Sequence, residues 1–155
     1  MRRSRIIKVH VTATIIASLT IGSFFCFSLI AEITGKDLFI QQVKAGILYC
    51  LPILLVAMPM LAISGKKLAG NSNSPVVATK TKRMKLIAFN GLILISLAIY
   101  LYYHATFKTI DKTFLYFQIG ELLIGALNLG LIVLNIKSGL KLSGKSENTT
   151  RKGSS

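Results

Sequence analysis

Residues 113–136 read TFLYFQIGELLIGALNLGLIVLNI, 24 residues with a single charge at Glu121. An α-helix rises about 1.5 Å per residue and the hydrocarbon core of a bilayer is about 30 Å thick, so this run is long enough to span. Its polar residues are not scattered. Gln118, Glu121, Gly125, Asn128, Ile132 and Asn135 step by three and four and therefore share one stripe of a helix. Lipid offers no hydrogen-bond partners, so such a stripe is expected to face protein or water. That requires other helices beside it.

The chain has them. Residues 9–31, 45–65 and 86–107 are further runs of 23, 21 and 22 residues with no Asp, Glu, Lys or Arg. Four such runs in 155 residues predict an all-α fold, an integral membrane four-helix bundle. It is expected as one domain over residues 1–142, with a flexible tail over 143–155. A flexible linker is expected at 69–79 (AGNSNSPVVAT). Basic residues open the first run as they would a signal peptide. It is long for one, and no small-x-small site closes it, so it is expected to remain a helix.

Composition supports the same class. Hydrophobic residues make up 52% of the chain and charged residues only 15%, against about 25% charged in soluble domains. Nineteen Lys and Arg stand against five Asp and Glu, a net charge of +14. The excess is segregated. Fifteen basic residues lie in the N-terminus, the 66–85 connection and the tail, and four (Lys36, Lys44, Lys108 and Lys112) in the other two connections. The positive-inside rule then places both termini in the cytoplasm. Anionic lipid headgroups are the expected partners of that basic face. No aromatic-interleaved basic platform points to nucleic acid.

Local signals add detail. Thr34-Gly35-Lys36-Asp37 has the form of a capping box that starts the second helix, and Lys44 is expected to snorkel to the outer interface. Thr14, Ser18, Gly22 and Cys26 form a small-residue stripe suited to close helix packing. Pro52 and Pro59, seven apart, free the carbonyls of Leu48 and Leu55 and are expected to kink helix two. Cys26 and Cys50 are expected at matching depth, where they would either pair or stay as apolar thiols. The Asn148-Thr149-Thr150 sequon falls on the cytoplasmic side and should be silent.

The stretches KRMKLIAFNG (82–91) and QIGE (118–121), with Ala126-Leu127-Asn128 and KSGL (137–140), resemble small, uncharacterised four-helix inner-membrane proteins of bacteria. The resemblance covers helices three and four. It implies a bacterial inner-membrane location, assigns no activity, and carries over no functional residue.

Cofactor and metal signals are weak. There is no C-x-x-C. His10 and His104 are expected at opposite faces of the membrane, which excludes bis-histidine haem ligation within one chain. No cofactor is expected, and enzymatic chemistry is disfavoured. The candidate site is the intramembrane polar set Glu121, Gln118, Asn128, Asn135, Asn90, Tyr100 and His104. Within it Glu121 is expected to face the bundle interior. An ionised carboxylate in hydrocarbon costs several kcal/mol unless paired. With no cation expected at its depth, Glu121 is expected neutral, bonded to Gln118 and Tyr100, with Tyr49 and His104 farther off. Two functions compete: association with a second copy or a membrane partner, and a small proton-coupled transporter or exporter using Glu121.

Overall fold

The structure, a computed structural model, describes residues 3–70 and 74–152, with side chains described as far as residue 141. Four helices account for nearly all of it: α1 (Arg3–Thr34), α2 (Asp37–Ala69), α3 (Pro75–Phe107) and α4 (Lys112–Lys152). Each contains a segment long and apolar enough to cross a membrane. The helices outrun the charge-poor runs, α3 at its start and the others at both ends. α2 and α3, at 33 residues each, extend about 50 Å, longer than a hydrocarbon core is thick.

Consecutive helices pack side by side, and α1 closes the ring against α4. The diagonal pairs α1–α3 and α2–α4 do not meet backbone to backbone. One end of the bundle gathers the start of α1, the end of α2, the start of α3 and the lysines that follow 136 on α4. His10 meets Ser64 there, and Arg83 reaches Leu134 and Ser138. The other end holds the two short connections. We refer to these as the basic end and the far end.

Burial follows one stripe per helix. On α4 the buried line is Phe114, Gln118, Glu121, Gly125, Asn128, Ile132 and Asn135, so the stripe expected from 3.6-residue periodicity is the face turned inward. Large apolar side chains cover the outside. Tyr49, Ile33, Tyr116 and Leu123 are all more than 60% exposed, and an apolar exterior around a polar interior line suits a protein solvated by lipid rather than water. The apolar core lies in layers. Ala31, Ile40, Leu101, Ala105 and Phe114 pack at the far end, and Ala17, Ile21, Leu54, Ala57 and Ile132 toward the basic end. α2 and α3 interlock through methionine tips seated on glycines. Met84 packs over Gly65, and Met58 over Gly91.

The structure corrects some local expectations and adds detail to others. Thr34 does not cap α2. It is the last residue of α1, and its hydroxyl donates back to the Ile30 carbonyl at 2.7 Å. Gly35, at φ +64°, turns the chain, and Lys36 is the N-cap of α2 without a side-chain bond. The linker is shorter than 69–79. α2 runs to Ala69, and Pro75 opens α3 because its missing N–H costs nothing in a first turn. Residues 71–73 lie outside the described residues. α4 continues through residues 143–152, where a tail was expected; residues 153–155 and the side chains of the sequon are not described. The small-residue stripe of α1 is not its seam. Ala13, Ala17, Ile21, Ser28 and Ala31 are buried, while Thr14, Ser18 and Gly22 are half-buried and Cys26 is exposed. The hydroxyls of Thr14 and Ser18 instead donate to the carbonyls of His10 and Thr14. Pro52 and Pro59 both lie on the exposed side of α2, which continues through them. Cys26 and Cys50 are free, exposed thiols.

Candidate functional site

Glu121 lies nine residues into α4, and Lys44 seven residues into α2. Both helices start at the far end, so the two Cα atoms lie about 13 Å and 10 Å inside it at 1.5 Å per residue. Ser28, six residues before the end of α1, and Gln118, six into α4, sit about 9 Å in. Four polar side chains from three helices therefore converge on one level.

The convergence is direct. The Lys44 ammonium pairs with Glu121 Oε2 and donates to Ser28 Oγ at 3.2 Å. Ser28 Oγ donates to the same Oε2 at 3.4 Å, and Gln118 Nε2 at 3.2 Å. Lys44 is only 2% exposed and Glu121 9%. This overturns two expectations. Lys44 does not snorkel outward, and Glu121 does have a cation at its depth. The reason is geometric. Lys44 belongs to the buried line Ile40, Lys44, Ile47, Leu51 of α2, so its Cβ points into the bundle. Its four-carbon stem then reaches across the diagonal that the backbones of α2 and α4 leave open. A buried pair survives only when hydrogen bonds satisfy it, and Ser28 and Gln118 supply them.

Below this cluster, toward the basic end, lies a cavity with about 460 Å³ of space outside the protein atoms, part of it open to the exterior. Its walls are apolar, with Phe24, Leu51, Leu94 and Leu122 among them, and Ser28 and Glu121 are its polar lining residues. Beyond it come buried amides. Asn90 and Asn128, each about 25 Å from the far end on adjacent helices, are buried together with Asn135. Asn90 Nδ2, Asn135 Oδ1 and both polar atoms of Asn128 have no hydrogen-bond partner among the described residues. Gln118 Oε1 is likewise unpartnered.

The remaining expected residues stand apart from the cluster. Tyr100 makes no bond to Glu121. It packs against Phe117, with ring centroids 4.5 Å apart, and against His104 at 5.7 Å. Tyr49 is 83% exposed and faces outward. His104 is buried at the far end, with Nε2 3.8 Å from Asp111 Oδ1 and Nδ1 without a partner among the described residues. His10 stands at the basic end, so the two histidines occupy opposite ends of the bundle. Among the described residues no group of His, Cys, Asp and Glu is arranged to hold a metal ion.

Sequence reasoning missed two contacts. One is Lys44, whose signal was its four-residue step from Ile40 and three-residue step to Ile47. The other is Asp111, which caps α4 by accepting the Phe114 N–H at 2.9 Å. That bond holds the Asp111 carboxyl below its ordinary range, and the nearby His104 adds to the effect. No protein-family model, curated protein or solved structure matches this chain.

Proposed function

We propose that the chain is a multi-pass protein of the bacterial inner membrane that works without enzymatic chemistry, by associating in the bilayer with a second copy or another membrane protein. Both termini and the α2–α3 connection face the cytoplasm in this reading, where the basic end rests on anionic headgroups. The fifteen-to-four asymmetry of basic residues supports that orientation. Reporter fusions at Ser155 and Lys36 should then report opposite sides, and the same side for both would sink it.

The observation that carries the associative role is the commitment of Glu121. A carrier carboxylate has to exchange proton and cargo, whereas this one is held by Lys44, Ser28 and Gln118. The ionisable groups of the cluster fasten α1, α2 and α4 together, leaving the outward faces to do the work. Mild detergent extraction followed by native mass spectrometry is the test. A stoichiometric partner or a homo-oligomer supports the reading, and a lone monomer from native membranes counts against it.

One observation favours a proton-coupled transporter as the second reading. The unpartnered amides of Asn90, Asn128 and Asn135, with the cavity that ends at Glu121, are more interior polarity than bundle packing needs. In that case Glu121→Gln abolishes proton-coupled uptake while the protein still accumulates in the membrane.

A further inference from the structure

The described acidic side chains all lie away from the basic end. Glu32, Asp37 and Asp111 flank the far connections, and Glu121 is paired with Lys44. Glu147, the remaining acid, lies eight residues beyond Gly139, about 12 Å further along α4. The cations of the basic end therefore have no counter-charge among the described residues. Most of them are exposed and point into solvent, where this costs little.

Two are not. Lys80 and Arg83, three residues apart on α3, are half-buried and lean over the same stretch of α4. The Lys80 ammonium stands 3.3 Å from where a β-carbon on Gly139 would be, so the absence of a side chain there leaves it room. Arg83 Nη1 donates to the Leu134 carbonyl at 3.4 Å and to Ser138 Oγ at 3.2 Å, both neutral acceptors. Lys80 has no hydrogen-bond acceptor among the described residues. His10, held by Ser64 across the bundle mouth, is near enough to feel the Lys80 charge. Two cations drawn together over one glycine and one serine, with donors to spare, match the oxygens of a phosphate group.

We propose that Lys80 and Arg83, over the shelf left by Gly139, form a binding site for the phosphate of a phospholipid headgroup. The site rests on the reading that this end of the bundle lies at a headgroup layer. It differs from general attraction to a charged surface in depending on two particular cations rather than on the sum of them.

The test uses full-length, delipidated protein in detergent, titrated with phosphatidic acid and followed by native mass spectrometry. Lys80→Gln and Arg83→Gln should each bind the lipid about tenfold more weakly, the loss expected for one charge-assisted partner. The double variant Lys66→Gln/Lys67→Gln removes two charges from the same end and should change binding less than twofold. Gly139→Val, which puts branched carbon against the Lys80 ammonium, should weaken binding without changing net charge. Lys80→Arg should retain it, separating lost binding from lost folding. Equal losses in the Lys66/Lys67 control would overturn the site. Displacement by inorganic phosphate would assign recognition to the phosphate alone. Resistance to displacement would assign it to the headgroup held with its acyl chains, and the site stands in either case. Binding in detergent does not depend on orientation in the cell, so failure here is distinguishable from failure of the reporter fusions.

Discussion

Replacing Lys44 with Met should destabilise the bundle more than truncation of any surface or boundary lysine. The ammonium is 2% exposed and is the only cation on Glu121 among the described residues. Its removal leaves a carboxylate facing Ser28 Oγ at 3.4 Å, Gln118 Nε2 at 3.2 Å and an apolar cavity. Breaking a buried pair from one side costs about 3–5 kcal/mol, since the other charge is left uncompensated. For a chain of this size that corresponds to a fall in melting temperature of roughly 6–20 °C. Glu121→Leu should cost a similar amount for the converse reason. The double variant Lys44→Met/Glu121→Leu should recover most of the loss, because it removes both desolvated charges and leaves Ser28 and Gln118 free to bond to their own helices. Thermal unfolding in detergent, read by circular dichroism on all three variants, closes the double-mutant cycle. The reasoning is refuted if the single variants melt within a degree or two of the parent, or if the double variant loses the sum of the two.

Four other outcomes follow from the structure. Gly35 sits at φ +64° in a two-residue connection, so Gly35→Val should cost about 1–2 kcal/mol, visible as a lower melting temperature with unchanged helix content. Phe114, 0% exposed in the far-end core, should cost about 3–5 kcal/mol on truncation to Ala, whereas Phe107, 67% exposed, should cost little. Asp111 has its carboxyl held below the ordinary 3.8. Its capping contribution is therefore complete above that pH and is lost as pH falls below it through the depressed value. Asp111→Asn should flatten that part of an acid-melting profile. Cys26 and Cys50 are exposed on apolar faces, so in membranes both should react with a lipophilic maleimide and be spared by a charged, impermeant one.

What sequence alone determined is what depends on period and length. Four charge-poor runs of 21 to 24 residues are each long enough to cross a bilayer as a helix, the form that satisfies every backbone group within the segment. The three-and-four stepping from Gln118 to Asn135 was sufficient to mark the inward face of α4, because that angle depends on the helix repeat alone. Helix ends were less legible. Thr34 carries the signature of a cap for the next helix, yet α1 keeps it, and Gly35 provides the turn.

Only the tertiary structure decided the partner of Glu121. Depth counted along one helix placed Lys44 near an interface and left the carboxylate without a cation. Which way a lysine leans depends on the rotation of its helix about its own axis, and on how far apart the diagonal helices stand. Neither is a property of residues 37–69 taken alone. The same holds at the basic end. Lys80 and Arg83 are two cations among fifteen in the sequence, and only the packing of α3 over Ser138 and Gly139 of α4 sets them apart. The sequence gives the angle of each stripe around its helix. The energy that turns one stripe toward another comes from contacts between residues as far apart as Lys44 and Glu121, and it exists only once the four helices are assembled.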